Sequence, residues 1–175
     1  MAHKTFLLKI ALKGIRPQIW RRVLVPSNIT LPKLHNTIQV VMGWENYHLH
    51  IFHAYGEQYA PKELDVDYTH NSSKLKLDRF MNAKGDFIEY EYDFGDGWMH
   101  KITLEKVYEE EIKKPICVAG KRNCPPEDCG GVWGYADMLE ALADPKHPEH
   151  EDIKEWYGDD FDPEYFSVDA VNASL

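Results

Sequence analysis

The stretch from residue 87 to residue 108 constrains the fold more than any other part of the chain. Apolar and polar side chains alternate from Phe87 to Phe94, and a second strand-like run extends from Trp98 to Tyr108. The sequence Gly-Asp-Gly separates the two runs. Alternating runs joined by a short glycine-rich segment are typical of a β-hairpin. The chain is therefore predicted to contain an antiparallel sheet, and a fold made only of helices is not expected.

The first 44 residues predict two further strands and a helix. Residues 6–15 and 19–25 are rich in apolar and β-branched side chains, and a proline closely follows each run. Thr30 is suited to cap a helix over residues 31–42, where apolar side chains recur at spacings of three and four. Gly43 then ends the helix. Such an amphipathic helix buries its apolar face against a sheet.

The rest of the chain predicts a third strand, two loops and helices near the C-terminus. The strand covers residues 48–55, and the polar stretch from there to Ser73 is predicted to be an exposed loop. Prolines and glycines in residues 115–131 predict a compact irregular loop. Apolar spacing indicates a short helix near residues 75–81, C-terminal helices near 135–142 and 153–157, and a last turn near 162–166.

These elements together define the expected fold class. We expect a single α+β domain over residues 1–175. Its sheet is mixed, mainly antiparallel and made of about five strands, and it is packed with an N-terminal helix and C-terminal helices.

Composition excludes several classes of protein. The chain has 175 residues, of which 43% are hydrophobic, and its mean hydropathy is −0.52. This content suffices for a buried core and is too high for a disordered chain. No apolar run approaches the roughly 18 residues of a membrane span, and the N-terminus lacks the apolar core of a signal peptide. We therefore expect a cytoplasmic protein with no membrane partner, in which three cysteines serve as reduced thiols or metal ligands.

Charge is distributed unevenly along the chain. The net charge is −9, yet residues 1–44 contain seven basic and no acidic residues, whereas residues 109–175 contain 17 acids and six bases. Nucleic-acid binding through the basic residues of 1–44 is one interpretation. The acidic remainder repels phosphate, however, so nucleic acid is not the favoured partner. We expect the basic segment to be neutralised largely by the acidic C-terminal portion.

Seven short motifs occur in a fixed order along the chain. They are Ile19-Trp20-Arg21-Arg22, Leu34-His35, Met42-Gly43-Trp44, His48-Leu49-His50, Tyr90-Glu91-Tyr92-Asp93-Phe94-Gly95-Asp96, Cys124-Pro125-Pro126-Glu127-Asp128-Cys129-Gly130-Gly131 and Trp133-Gly134-Tyr135. This series resembles the plasmid pRiA4b ORF-3-like family over nearly the whole chain. The resemblance implies an α+β fold and a prokaryotic protein associated with mobile elements. Some members carry a resolvase label without a mechanism, so the resemblance implies no activity.

A resolvase activity is not expected from the residues themselves. A recombinase needs a nucleophile beside arginines that neutralise the scissile phosphate. Arg21 and Arg22 point to opposite faces if they belong to one strand, so they are not expected to clamp one phosphate together.

One group of residues is suited to bind a metal ion. Cys124 and Cys129 lie close together in the predicted irregular loop, and Cys117 lies seven positions before Cys124. Paired thiolates are typical zinc ligands, and zinc is the cofactor that the sequence suggests. His48 and His50 share one face of the predicted third strand and are further candidate ligands. The alternative is that the cysteines are buried free thiols that pack a tight loop.

A second group of residues is suited to recognition or to acid–base chemistry. It consists of Asp93, Asp96, Trp98, His100, Glu127, Asp128, Trp133 and Tyr135. Hydrolases use carboxylates and imidazoles in a cleft, but aspartates in tight turns also bond the backbone. Because no nucleophile with an identifiable base is evident, we expect a non-catalytic binding module for an unknown protein or small ligand. The alternative is a metal-assisted hydrolase that uses Asp93, Asp96 and the Cys124–Cys129 region.

Overall fold

The computed structural model of the protein describes residues 3–64 and 66–175, and an eight-stranded mixed sheet forms its centre. In chain order the strands are β1 (Thr5–Leu12), β2 (Trp20–Pro26), β3 (His50–Ala54), β4 (Glu57–Ala60), β5 (Thr69–Asn71), β6 (Phe87–Tyr92), β7 (Trp98–Tyr108) and β8 (Ile116–Lys121). Their order across the sheet is β5-β4-β3-β6-β7-β1-β2-β8. Neighbouring strands are antiparallel except for the parallel pair β4 and β5. The α+β class and the hairpin of β6 and β7 are as predicted.

Four helices of the described residues flank the strands in the chain, and the first of them confirms the predicted N-terminal helix. They are α1 (Leu31–Met42), α2 (Gly131–Ala143), α3 (His150–Tyr157) and α4 (Val168–Ser174), with short 3₁₀ turns at Lys62–Leu64 and Leu77–Arg79. At the start of α1, the Thr30 hydroxyl accepts a hydrogen bond from the Lys33 N–H at 3.4 Å. At its end, Gly43 has a φ of 103°, a left-handed conformation that side chains disfavour. Both caps lie where the sequence places them.

Strand alternation directs one face of the sheet into the core. On β7 the side chains of Trp98, His100, Ile102 and Leu104 are fully buried, whereas the side chains between them are half-buried or exposed. The apolar face of α1, including Leu34 and Ile38, belongs to the same core cluster. One sheet face and the N-terminal helix therefore share a single hydrophobic core.

The sheet has eight strands rather than about five, and three short strands account for the difference. β4 and β5 lie in the stretch predicted as an exposed loop. Most of their side chains are exposed, so they lack the apolar alternation that marks a half-buried strand. β8 lies in the segment predicted to be irregular. The prolines and glycines after residue 121 indicate a loop more strongly than the β-branched residues at the start of the segment indicate a strand.

Arg21 and Arg22 point to opposite sides of β2, as predicted. Arg21 is buried, and its Nε donates a hydrogen bond to the Val41 carbonyl at 2.6 Å. Its Nη1 donates to the carbonyls of Trp20 and Lys121 at 2.9 and 3.1 Å. Arg21 thereby joins the end of α1 to two strands of the sheet. Arg22 lies on the half-buried outer face of the sheet.

The basic N-terminal segment is neutralised in a different way from the prediction. Lys4 pairs with Glu109 at 3.1 Å, but the other two ion pairs of the segment in the described residues use acids of the β6–β7 hairpin. These are Lys13 with Glu89 and Arg22 with Glu105, each at 2.7 Å. The hairpin adjoins β1 in the sheet, so the acids on its outer face lie closer to these basic side chains than the C-terminal portion does. Among the described residues, no helix is both long and apolar enough to cross a bilayer.

Candidate functional site

The start of β3 and the end of β6 place the His48 imidazole and the Asp93 carboxylate side by side. His50 of β3 pairs with Tyr92 of β6, so the residues just outside this pair also lie next to each other. The Asp93 N–H donates a hydrogen bond to the Leu49 carbonyl at 2.9 Å. His48 precedes β3 and lies beside Asp93 at this end of the sheet.

The turn between β6 and β7 orients the Asp93 carboxylate. Asp93 has a φ of 61°, a left-handed conformation that aspartate tolerates better than most residues. Its Oδ1 accepts hydrogen bonds from the N–H groups of Gly95 and Asp96 at 3.0 and 3.3 Å. The second oxygen, Oδ2, faces His48 Nε2 at 3.5 Å. The turn thus fixes one oxygen and directs the other toward the histidine.

A third segment, residues 127–131, closes onto the same turn. Asp96 Oδ2 accepts a hydrogen bond from the Gly130 N–H at 3.2 Å. Gly131 approaches so closely that a Cβ there would lie 2.5 Å from the Asp96 carbonyl oxygen. The segment therefore needs glycine at 131, and this contact holds the N-terminus of α2 against the turn.

The three segments bring three carboxylates toward one imidazole nitrogen. His48 Nε2 lies 2.7 Å from Asp128 Oδ1, 3.5 Å from Asp93 Oδ2 and 3.9 Å from Glu127 Oε2. The closest contact is not aligned as a hydrogen bond, so Nε2 is buried without a hydrogen-bond partner in the described residues. The atoms of His48, Asp93 and Asp128 all lie within 4.8 Å of one another, which is the arrangement that can hold a metal ion. We name the group Glu45, His48, Asp93, Asp96, Glu127 and Asp128 the acidic mouth.

Among the described residues, hydrogen bonds hold only one of the two carboxylate oxygens of Glu127. Its Oε1 accepts hydrogen bonds from the Tyr92 hydroxyl at 2.9 Å and from the Glu45 N–H at 2.8 Å. Burial and the hydrogen bond to Glu127 raise the pKa of Tyr92 well above its usual range, so Tyr92 stays a donor. The second oxygen, Oε2, is buried and makes no hydrogen bond within the described residues.

Large hydrophobic side chains remain exposed around the acidic mouth. Tyr47 and Leu49, on either side of His48, are 68% and 55% exposed. Phe94, which follows Asp93, is 42% exposed, and Trp133 in the first turn of α2 is 85% exposed. We name these four side chains the hydrophobic rim. Exposed apolar groups beside a polar site are typical of a binding surface.

The structure brings some of the predicted surface residues together and buries others. Asp93, Asp96, Glu127, Asp128 and Trp133 meet at the acidic mouth and its rim. Trp98, His100 and Tyr135 are at most 1% exposed, so their placement on a surface needs correction. Trp98 and His100 occupy core-facing positions of β7, and Tyr135 is on the buried side of α2.

The predicted metal ligands are distributed over several places. His48 lies in the mouth, but β3 begins only at His50, so the two histidines do not share a strand face. His50 is buried and stacks on His35 with ring centroids 3.5 Å apart. Burial, and secondarily His35, lowers the pKa of His50 to about 3.

The cysteines are buried free thiols and do not join the histidine and carboxylate group. Cys117, Cys124 and Cys129 are all unpaired, and burial raises the pKa of each thiol. The raised pKa values keep these thiols protonated near neutral pH. Sequence reasoning missed Glu45, Tyr47 and Tyr92, because nothing in their spacing shows that three separate segments converge.

The fold and this site define an α+β protein with one mixed sheet and an acidic mouth at the end of two central strands. A family model described as plasmid pRiA4b ORF-3-like protein matches residues 4–170, and the chain belongs to this family.

Two relatives resemble the chain over nearly its whole length. The uncharacterized protein y4hQ of Sinorhizobium fredii is 36% identical over 179 aligned positions, which cover all of this chain and 92% of that protein. The crystal structure of MM3350, a protein of unknown function from Methanosarcina mazei Go1, matches with a TM-score of 0.87 and 45% identity. That match covers 97% of this chain and 98% of the other.

Proposed function

We propose that the protein is a non-catalytic binding module that recognises a basic polypeptide segment through the acidic mouth and the hydrophobic rim. One observation supports this function above the others: the three converging segments carry negative charge and exposed apolar surface together. Residues 45–49, 93–97 and 127–133 contain five carboxylates and no lysine or arginine. A partner with lysine or arginine next to apolar side chains complements both features.

The hydrophobic rim and the acidic mouth are both unfavourable when water alone covers them. Each exposed aromatic side chain of the rim keeps apolar area hydrated, at about 25 cal/mol for each Å². The clustered carboxylates repel one another unless a cation neutralises them. Within the described residues, the ion pairs of Asp93, Glu127 and Asp128 involve only His48, so no lysine or arginine of the chain supplies that cation. A basic and apolar segment relieves both costs.

A titration with a designed peptide tests this function. The probe is a fluorescently labelled short peptide of lysine and phenylalanine separated by glycine, and binding is followed by anisotropy. We expect binding that weakens as salt increases. Trp133→Ala is expected to weaken it about tenfold, because exposed aromatic anchors dominate such surfaces.

Two controls make the titration specific. A matched peptide with glutamate in place of lysine is expected not to bind. Tyr68→Ala removes an aromatic side chain that is 94% exposed and lies outside the mouth, so it is expected to leave binding unchanged. Equal binding of both peptides, or equal effects of the two variants, contradicts the proposed surface.

A second candidate function is metal-assisted hydrolysis, and one observation favours it. Glu127 keeps a buried carboxylate oxygen free beside His48, and a carboxylate in that position can accept a proton from a nearby water. Turnover of p-nitrophenyl acetate in the presence of Mn²⁺, lost in Glu127→Gln, is the result that this function requires. Turnover equal to that of Mn²⁺ in buffer leaves the binding function as the better account.

A reducing compartment is the setting in which three free thiols are usual. We therefore place the binding function in the cytoplasm. Expression in a reducing and in an oxidising compartment, followed by thiol counting, tests this location.

A further inference from the structure

We infer that His48, Asp93 and Asp128 form a binding site for one divalent transition-metal ion of the Zn²⁺, Mn²⁺ and Co²⁺ type. This inference goes beyond peptide recognition and does not depend on it. The ligand atoms are His48 Nε2, Asp93 Oδ2 and Asp128 Oδ1. The cysteines that the sequence suggests as ligands are not part of this site.

The distances fit a single ion. Nitrogen and oxygen ligands bind zinc at about 2.0 to 2.2 Å, so two ligand atoms of a tetrahedral site lie about 3.3 to 3.6 Å apart. The 3.5 Å between His48 Nε2 and Asp93 Oδ2 already fits this separation. The three atoms are within 4.8 Å of one another, so the widest pair needs to close by about 1.5 Å or less. The 2.7 Å contact between His48 and Asp128 opens slightly when both bind the ion. These are side-chain adjustments within ordinary rotamer freedom.

Unpartnered buried atoms supply an independent reason for a ligand. Among the described residues, His48 Nε2 and Glu127 Oε2 are both buried without a hydrogen bond, and an unsatisfied buried polar atom is destabilising. Asp93 has a side chain only 8% exposed, and in the described part of the chain the hydrogen bonds of its carboxylate all use Oδ1. Its Oδ2 is therefore available and directed at His48. A cation between these atoms satisfies them and offsets the repulsion of the carboxylates.

The contacts of Glu127 make it a neighbour of the ion rather than one of its three closest ligands. Its Oε2 lies 3.9 Å from His48 Nε2 but outside the group of atoms that are mutually within 4.8 Å. The hydrogen bonds from Tyr92 and Glu45 fix Oε1, so only Oε2 can face the ion or a water bound to it. Outer carboxylates of this kind strengthen metal sites.

The donor set selects the class of metal. Imidazole nitrogen suits Zn²⁺, Mn²⁺, Co²⁺ and Fe²⁺, whereas Mg²⁺ and Ca²⁺ prefer oxygen ligands throughout. Asp128 is 66% exposed and His48 is 28% exposed, so the ion has an open side toward solvent. An open side leaves coordination positions for water or for a group of a partner.

The experiment is titration of the metal-free full-length protein with Co²⁺ and Zn²⁺, followed by absorption spectroscopy and calorimetry. We expect one equivalent to bind, with visible cobalt bands of a nitrogen and oxygen site and no thiolate-to-cobalt charge-transfer band. Mg²⁺ is expected to bind at least about a hundredfold more weakly. Failure to bind Co²⁺ or Zn²⁺, or a thiolate band, overturns the inference.

Variants locate the ion. His48→Ala and Asp128→Asn are each expected to weaken binding at least about tenfold. Asp128 is mostly exposed, so Asp128→Asn also guards against a variant that merely fails to fold. His70→Ala removes an exposed histidine that pairs with Glu57 outside the mouth, and Cys124→Ser with Cys129→Ser removes two thiols. Both are expected to keep the metal, and the opposite pattern assigns the ion to the cysteines.

The metal and the peptide functions fail separately. Peptide titration is expected to give binding both with EDTA and with the metal bound, since three of the five negative charges of the mouth remain in excess even when a divalent ion is bound. Loss of metal binding with intact peptide binding therefore overturns this inference alone.

Discussion

The side-chain amide of Asn172 pairs with both backbone groups of Cys117. Its Oδ1 accepts the Cys117 N–H and its Nδ2 donates to the Cys117 carbonyl, each at 2.8 Å. Cys117 lies in β8, the last strand of the sheet, and Asn172 lies in α4. The Asn172 amide thus hydrogen-bonds the backbone of β8 as a neighbouring strand would. It covers a sheet edge that could otherwise pair with a strand of another chain.

We expect Asn172→Ala to destabilise the protein by about 1–2 kcal/mol, because two partly buried backbone groups lose their partners. The measurement is urea unfolding, with light scattering to follow association through the free edge. Ser174→Ala changes an exposed residue of the same helix and is expected to have an effect below about 0.5 kcal/mol. Equal effects of the two variants speak against the edge role.

Gly131→Ala is expected to destabilise the protein more than Gly97→Ala, although both glycines have nearly the same φ of 72° and 70°. Both variants bear the cost of a left-handed alanine, about 1–2 kcal/mol. In addition, a Cβ at 131 meets the Asp96 carbonyl oxygen at 2.5 Å, whereas a Cβ at 97 has no atom of the described residues within 4 Å beyond its chain neighbours. Thermal unfolding of the two variants isolates the contact, and equal losses show that α2 can move away from the turn freely.

The fold was largely predictable, and the acidic mouth only in part. Periodicity and caps define α1 and the β6–β7 hairpin because local sequence determines both. The short strands β4 and β5 escape prediction because pairing with a neighbouring strand, not side-chain pattern, makes them strands; β4 pairs with β3, and β5 pairs with β4. The mouth depends on residues far apart in sequence, such as His48 and Asp128, which nothing local connects. His100 illustrates the opposite error, since a histidine after a turn resembles a functional residue but occupies a core position.

Stability is expected to fall as the pH is lowered from about 7 to 5, partly because of His100. Burial lowers the pKa of His100 to about 4, and both ring nitrogens contact groups that suit the neutral form, the Tyr90 carbonyl and the Trp44 indole N–H. The unfolded chain takes up a proton below pH of about 6.5, while the folded protein does not until about pH 4. The free energy of unfolding therefore decreases by about 2 kcal/mol from this residue between pH 7 and pH 5.

The test is urea unfolding as a function of pH in His100→Phe. This variant is expected to be less stable at pH 7 but to have a shallower pH dependence, because one neutral-only group is gone. His3→Ala, which changes an exposed histidine, is expected to leave the slope unchanged. An unaltered slope in His100→Phe shows that other groups carry the acid sensitivity.

Arg21→Met is expected to be far more destabilising than Arg22→Met, although the two residues are adjacent. Arg21 is buried and its guanidinium satisfies three carbonyls, including that of Val41 at the end of α1, where helix carbonyls otherwise lack partners. Methionine fills the space but leaves these acceptors unpaired, at a cost of about 3 kcal/mol or more. Arg22 loses a half-exposed ion pair with Glu105, worth up to about 1 kcal/mol. Urea unfolding of both variants measures the two losses in the free energy of unfolding. A difference below about 1 kcal/mol between them means that water replaces the Arg21 hydrogen bonds. The attachment of the sheet to α1 then does not depend on this arginine.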